Sequence, residues 1–316
     1  MQTEVYNAYW EFACKRQEIF FKRFKGLPAP WSDDLILSKY KFTNAYRVED
    51  RVSQFLIREV IYNGKQYSPE DIIFRIILFK IFNKIETWKN LEKYVGDISF
   101  SNYKRSVYEK AFENIIISKQ KLYSAAYIMP SGKTSFGFSQ KYKNNLSLLE
   151  MIMSSNIASK IAKLKSLKEL YELLLSYPTI GSFLAFQFAI DINYTEICDF
   201  SEMSFVVAGP GAKSGIEKCF ATLNHNCEYY IRYVAERQEE EFDKRGLHFK
   251  SLFGRKLQLI DCQNLFCEID KYSRIAYPSI LSKNGRLKIK QNFIPNDSAI
   301  DYFFPPKWKL DIYKGE

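Results

Sequence analysis

Apolar residues recur at the three- to four-residue spacing of an α-helix along most of the chain. Residues 4–24 follow this pattern with aromatic and charged positions, and it ends at 26–30, where two prolines favour an extended turn. The same spacing predicts a helical array over 30–95 and further helices over 147–176 and 179–192. We therefore predict a mainly α protein.

A stretch rich in Ser, Gly, Lys and Asn lies between the predicted helices at 130–146. Such a composition favours turns over regular elements. We therefore predict an N-terminal helical lobe over 1–146 and a C-terminal helical lobe over 147–316. A small β-hairpin within 125–140 is compatible with the same stretch.

The composition is that of a folded protein with a polyanionic partner. Hydrophobic residues make up 47% and charged residues 26%, which excludes disordered and fibrous classes. The net charge of +10 favours a nucleic acid over a neutral small molecule, although an ordinary basic surface is the alternative. Aromatic residues, at 16%, can supply stacking surfaces for bases as well as the core.

The sequence gives no support to a metal centre, a membrane span or a secretion signal. The six cysteines form no C-x-x-C pair, and the chain has only two histidines. No run of eighteen apolar residues occurs, and the first residues lack a cleavage site of the signal-peptide type. We expect a cytoplasmic protein with no cofactor and no membrane partner.

The first motif that could carry chemistry is FTNAYRVEDR, at 42–51. Its two arginines and its aspartate are spaced three and four apart, so a helix would place them on one face, with the asparagine one turn earlier. Arginine forks suit a clamp on a phosphate or a base, and an internal Arg–Asp cluster is the structural alternative. The candidate binding residues here are Asn44, Tyr46, Arg47, Asp50 and Arg51.

The second motif is the glycine-rich segment GPGAKSG, at 209–215, in which Gly209, Gly211 and Lys213 suggest a loop around an anion. A turn connecting two helices is the alternative. The spacing is not that of a nucleotide-binding G-x-x-x-x-G-K-[ST] loop, and the spacing at 131–134 also fails that test. We therefore predict no ATP site at either segment.

The third motif is DCQNLFCEIDKYSR, at 261–274. A helix would align four polar residues on one stripe, because they are spaced three, four and three apart. Carboxylates beside an amide and an amine could orient a base edge and activate water, and a solvent-facing charged stripe is the alternative. The stripe consists of Asp261, Asn264, Glu268 and Lys271.

A turn at 177–185, YPTIGSFLA, connects two apolar helical stretches. A hairpin of this kind can present backbone N–H groups to a DNA phosphate. Asp199 follows Gly181 by eighteen residues.

Three ordered segments give the chain a family resemblance: LPAPWSDDLILSKYKFTNAYRVEDRVSQFL, GPGAKSG and DCQNLFCEIDKYSR. They resemble the α-glutamyl/putrescinyl thymine pyrophosphorylase-like proteins, which are DNA base hypermodification proteins that carry the helical domain of hydroxymethyluracil DNA kinases. The resemblance runs from about residue 27 to about residue 290.

The resemblance implies a helix-hairpin-helix, DNA-glycosylase-like fold with two helical lobes and a DNA-binding cleft. Asp199 then resembles the catalytic aspartate downstream of the hairpin, although Thr179 replaces the first hairpin glycine and the lyase-type lysine is absent. If GPGAKSG grips the DNA instead, the catalytic role moves to Asp261 or Glu268.

Three functions are compatible with this resemblance. We expect a DNA glycosylase that flips a hypermodified pyrimidine out of phage DNA and excises it, leaving an abasic site, as an antiviral defence. The first alternative is a transferase that places an amine on a pyrophosphorylated hydroxymethyluracil base. The second is a non-catalytic DNA-binding protein. The expected partner is double-stranded DNA with modified bases, without an obligate protein partner.

Overall fold

The computed structural model describes residues 1–295 and 300–312, and it confirms a mainly helical protein. Within those ranges no β-strand longer than an isolated bridge occurs, and no helix is long and apolar enough to span a membrane. The α-helices of this part of the chain are α1 (Glu4–Phe24), α2 (Leu35–Lys39), α3 (Arg51–Phe55), α4 (Pro69–Phe82), α5 (Ile85–Val95), α6 (Arg105–Ile117), α7 (Lys133–Phe136), α8 (Lys141–Ser154), α9 (Ile157–Ile161), α10 (Leu167–Leu175), α11 (Ser182–Ile192), α12 (Pro210–Cys219), α13 (Cys227–Glu236), α14 (Gln238–Asp243) and α15 (Leu259–Ala276). Short 3-10 helices span Arg47–Glu49 and Pro306–Trp308, and a π-helix spans Leu56–Ile61.

The chain divides into two compact units. The first unit combines Met1–Gln54 with the residues from Phe205 onward, and the second is Phe55–Ser204. The lobes expected at 1–146 and 147–316 do not coincide with these units, because α1 packs on helices more than 200 residues later in the chain. Local composition carries no signal for such long-range pairing.

The core of the first unit lies between α1, α12 and α15. Tyr9 and Trp10 of α1 are fully buried, and the Tyr9 ring lies 4.7 Å from that of Phe266 on α15. Helix α12 approaches α15 so closely that a Cβ atom on Gly215 would lie 1.9 Å from the carbonyl oxygen of Phe266. Only glycine fits this position.

Helix α15 begins with a capping box. The side chain of Gln258 accepts from the backbone of Asp261, and Asp261 Oδ2 accepts from the Gln258 amide at 2.9 Å. Asp34 caps α2 in a similar way, since its Oδ1 accepts from the amides of Ile36 and Leu37 at 2.9 and 3.0 Å. Asp34 Oδ2 also accepts from Tyr272 Oη of α15 at 2.9 Å, which fixes α2 to the core of the first unit.

The second unit contains the hairpin expected at 177–185. Helices α10 and α11 pack together, and the connecting turn places Thr179 at a φ of +68° before Gly181 begins the cap of α11. A buried ion pair crosses the core of this unit, with Lys80 Nζ 3.1 Å from Asp191 Oδ2.

The β-hairpin considered within 125–140 does not form. The segment contains helix α7, and Gly132 and Gly137 on either side of it have φ values of +70° and +84°. The fully buried Asn144 side chain holds the segment in place, donating to the carbonyls of Ser131 and Phe138 at 2.9 and 2.8 Å. These bonds satisfy backbone carbonyl groups that the paired strands of a hairpin would otherwise satisfy.

Candidate functional site

A cavity of about 810 Å³ lies within the first unit. Its walls come from α1, α2, the segment 40–44 that follows α2, the start of α3, and the segment 291–295. Its size suits a nucleobase with a bulky substituent, since small-molecule sites typically measure a few hundred to a thousand Å³.

The lining of the cavity carries positive charge. Arg16 and Arg23 of α1 are seven residues apart, which places them on one face two turns from each other, and Arg51 and Lys41 also line the cavity. The Nε and Nη2 atoms of Arg16 donate to the carbonyl of Thr43 at 2.9 Å and to Asn44 Oδ1 at 2.8 Å. The Arg16 guanidinium is thereby held rigidly beside the cavity.

The side chain of Asn44 holds its neighbours in place. Its Oδ1 accepts from Arg16, its Nδ2 donates to the Glu49 carbonyl at 3.0 Å, and its backbone amide donates to Asp50 Oδ1 at 2.9 Å. Asn44 also lines the cavity, as a residue expected to bind a base should. The residue couples the arginine and the carboxylate that line the cavity.

Asp50 is the acidic side chain of the cavity lining. Burial raises its pKa to about 7, the Asn44 hydrogen bond opposes this rise, and the charge of Glu268 adds to it. A carboxylate with a pKa near 7 exchanges protons readily at neutral pH, which is the property of a general base.

Aromatic rings also line the cavity. The Arg23 guanidinium lies 4.8 Å from the centre of the Trp31 ring, and the ring of Phe293 meets Trp31 edge-on at 6.4 Å. Tyr40 and Phe42 also belong to the lining. The cavity thus combines apolar faces suited to a base with cations suited to a phosphate.

The stripe on α15 does not line the cavity. It holds the backbone of the segment behind the cavity wall: Asp261 Oδ1 accepts from the amide of Arg47 at 2.9 Å, and Glu268 Oε2 accepts from that of Thr43 at 3.0 Å. Lys271 pairs with Glu268 at 2.5 Å. The half-buried Asn264 lies on the same helix. Asp261, Glu268 and Lys271 of the stripe expected to carry catalysis thus bind the backbone of residues 41–47.

The FTNAYRVEDR motif does not form the single helix expected from its spacing. Arg47 lies in a 3-10 helix, Asp50 is extended, and α3 begins at Arg51. Tyr46 is buried and its hydroxyl donates to the carbonyl of Arg255 at 2.5 Å, while Arg47 is only 2% exposed. Of the motif's five candidate residues, Asn44, Asp50 and Arg51 reach the cavity, and Tyr46 and Arg47 do not.

The GPGAKSG segment, expected as a loop around an anion, forms the start of a helix. Gly209 is the N-cap of α12, followed by a proline at the first helical position. A Cβ atom on Gly211 would lie 3.0 Å from Cys267 Sγ, so this glycine serves the packing of α12 on α15. Lys213 is exposed on α12 and does not line the cavity.

Asp199 belongs to the second unit, in the segment that follows α11, and its side chain is exposed. It does not line the cavity of the first unit. Sequence reasoning also missed Arg16, Arg23, Trp31 and Phe293. For Arg16 and Arg23, the sequence signal that could have found them is their seven-residue spacing, which places them on one helix face.

These features define a helical protein whose first unit holds a basic, aromatic-lined cavity, and among the described residues that line it Asp50 supplies the carboxylate. Residues 3–282 match the family model described as "5-hmdU DNA kinase, helical domain", and the chain belongs to that family. The family expected from the sequence is thereby confirmed.

A curated relative, the 5-hmdU DNA kinase of Bacillus phage SP10, is 24% identical over 286 residues. That match covers 85% of this chain and 45% of the relative, so the chain spans less than half the length of the phage protein. No solved structure matches the chain significantly. The likeness to helix-hairpin-helix glycosylases accordingly rests on sequence motifs alone.

Proposed function

We propose that the chain is a DNA base hypermodification enzyme that exchanges a phosphate-bearing group on a flipped pyrimidine for an amine. Membership of a DNA kinase family supports an action on DNA, and the relative's name supports 5-hydroxymethyluracil as the parent base. The 5-position substituent points into the major groove of a duplex. To place it inside the cavity, the nucleotide has to leave the base stack.

The observation that carries the proposal is the placement of Asp50 beside Arg16 and Arg51 in one cavity. In the exchange, the amine nitrogen bonds to the methylene carbon of the base. The bond from that carbon to the phosphate oxygen breaks, and phosphate or pyrophosphate leaves with the electron pair. Arginines stabilise the departing anion, and Asp50 accepts the proton that the amine loses.

A kinase reaction by this chain itself has less support. The sequence contains no G-x-x-x-x-G-K-[ST] segment to hold a nucleotide triphosphate, and the match leaves more than half of the phage kinase uncovered. A phosphorylated base, the product of a DNA kinase, is the substrate that the cations of the cavity lining suit.

Excision of the base is the second candidate, because a carboxylate with a pKa near 7 can also activate water. The two reactions differ in their products. Amine transfer keeps the base attached to the sugar and releases a phosphate, whereas excision releases the base and leaves an abasic site.

The test uses duplexes that carry thymine, 5-hydroxymethyluracil, or the phosphorylated or pyrophosphorylated form of that base, each incubated with the protein and putrescine. We expect mass spectrometry of the digested DNA to find an amine-bearing base when the duplex carries the phosphorylated or pyrophosphorylated base. Duplexes with thymine or 5-hydroxymethyluracil should give no such product. General base catalysis typically contributes about 10²–10⁴-fold, so Asp50→Asn should reduce turnover at least about a hundredfold with binding retained.

Two other results would reject the proposal. Alkali-labile sites with a free modified base would establish excision instead. Tight binding of the phosphorylated duplex without any product, over a range of amines, would establish a non-catalytic binding module. As a matched control, Asp33→Asn removes an exposed carboxylate outside the cavity lining and should leave turnover unchanged.

A further inference from the structure

The segment that follows α15 is strongly basic. No acidic residue occurs between Lys271 and Pro295, and four basic residues fall within 283–290. We call residues 283–290 the basic strap. Its cations are Lys283, Arg286, Lys288 and Lys290.

The backbone of the basic strap is anchored to the first unit at several points. The amide of Lys283 donates to Glu217 Oε2 at 2.9 Å, and Arg274 Nη1 donates to the carbonyl of Lys288 at 2.9 Å. Asn284 Nδ2 donates to the hydroxyl of Ser214 on α12. The strap is therefore held along its length by bonds that leave its basic side chains unused.

The four cations of the strap are all exposed, and none makes an ion pair within residues 1–295 and 300–312. By contrast, the buried cation Lys218 is paired with Asp270 at 3.0 Å. Four unneutralised charges on one short segment repel each other, and a polyanion relieves that repulsion.

The strap continues directly into the cavity wall. The amide of Lys41 donates to the carbonyl of Gln291 at 3.0 Å, and the amide of Phe293 donates to that of Lys39 at 2.9 Å. Gln291 and Phe293 line the cavity. The strap therefore leads along the surface to the cavity rim.

We propose that the basic strap binds the phosphodiester backbone of DNA next to the nucleotide whose base enters the cavity. The identity of the polyanion rests on the proposed function. Arg286, Lys288 and Lys290 are two residues apart, and in an extended chain such residues face the same side at intervals of about 6.6 Å. A row of this kind can follow the regularly spaced phosphates of one strand.

The test compares the unmodified protein with a variant carrying Lys283→Ala, Arg286→Ala, Lys288→Ala and Lys290→Ala. Fluorescence anisotropy measures the affinity for a duplex at several salt concentrations. Each phosphate contact contributes about 0.9 to the slope of log K against log salt, so the slope should fall by about two to four in the variant.

The matched control removes four exposed lysines from the second unit through Lys160→Ala, Lys163→Ala, Lys165→Ala and Lys168→Ala. The slope of this control should stay close to that of the unmodified protein. The proposal would be overturned if the strap variant and the unmodified protein had equal slopes. It would also be overturned if the slope fell equally in the strap variant and in the control variant. Binding of the strap to phosphatidylserine vesicles in place of DNA would also overturn it.

Failure of this inference is distinguishable from failure of the proposed function. The preference of the unmodified protein for a phosphorylated over an unmodified duplex, at one salt concentration, tests the cavity. The salt slope on an unmodified duplex tests the strap. The protein could show no preference for the phosphorylated duplex while its salt slope still falls in the strap variant. That result would reject the proposed enzyme function and leave the strap proposal standing.

Discussion

Glu268 accepts a hydrogen bond from the amide of Thr43 at 3.0 Å, and the next amide along the chain, that of Asn44, donates to Asp50 at 2.9 Å. The two carboxylates are thus bound to adjacent peptide units. Helix α15 in this way controls both the position and the charge environment of the carboxylate in the cavity.

The pKa of Asp50, raised to about 7 by burial, sets the expected pH dependence of turnover. A general base has to be deprotonated, so the rate of amine transfer should rise about tenfold per pH unit below 7 and level off above it. Single-turnover rates between pH 5 and 9 check this. A rate independent of pH between 5 and 8 would contradict a role for Asp50 as the base.

Glu268→Gln should move that profile to lower pH. The negative charge of Glu268 is one of the causes that raise the pKa of Asp50, and glutamine keeps an oxygen that can accept from Thr43. A purely structural loss would instead lower the rate equally at every pH. Glu18→Gln, on the exposed face of α1 and outside the cavity lining, is the control that should leave the midpoint unchanged.

Gly215→Ala should destabilise the first unit. The added Cβ atom would lie 1.9 Å from the Phe266 carbonyl oxygen, which forces α12 and α15 apart. Overpacking of this kind typically costs about 1–3 kcal/mol, and urea unfolding measures it. Gly211→Ala on the same helix, where the nearest atom would lie at 3.0 Å, should cost less. A larger effect at 211 than at 215 would contradict the close approach.

Lys80→Met should destabilise the second unit by about 3–5 kcal/mol, because it leaves Asp191 buried without its cation. The double variant Lys80→Met with Asp191→Leu should recover most of that loss, since no charge then remains unpaired. Thermal unfolding of the single and double variants measures the coupling. If the loss of stability in the double variant equals the sum of the losses in the two single variants, Lys80 and Asp191 do not stabilise the unit as a pair.

The helical pattern was sufficient to predict α1 and α11, which lie within the stretches 4–24 and 179–192 expected to be helical. The helical stretch expected over 147–176 is divided among α8, α9 and α10. The pattern did not predict α12, because the glycines of GPGAKSG that pack against α15 resemble those of a loop. Apolar periodicity does not show which glycines contact another helix, because the partner helix is not known from the sequence. Here the partner residue, Phe266, is fifty-one residues away from Gly215.

The candidate site was predicted in part for a related reason. The spacing of Asp261, Glu268 and Lys271 correctly indicated one polar stripe, but sequence could not show that the stripe faces the backbone of 41–47. Asp50 and Arg51 were found because they stand within one motif. Phe293 was not, because it reaches the cavity only through backbone pairing with Lys39.

The second unit is inserted, in chain order, between two pieces of the first. During synthesis, Phe55–Ser204 can therefore complete its core while α1 still lacks the helices that cover it. Arg16 and Asp50 are made before the second unit, whereas the scaffold of α15 and the rim at Phe293 are made after it. The walls of the cavity consequently come together only after the whole second unit has been synthesised.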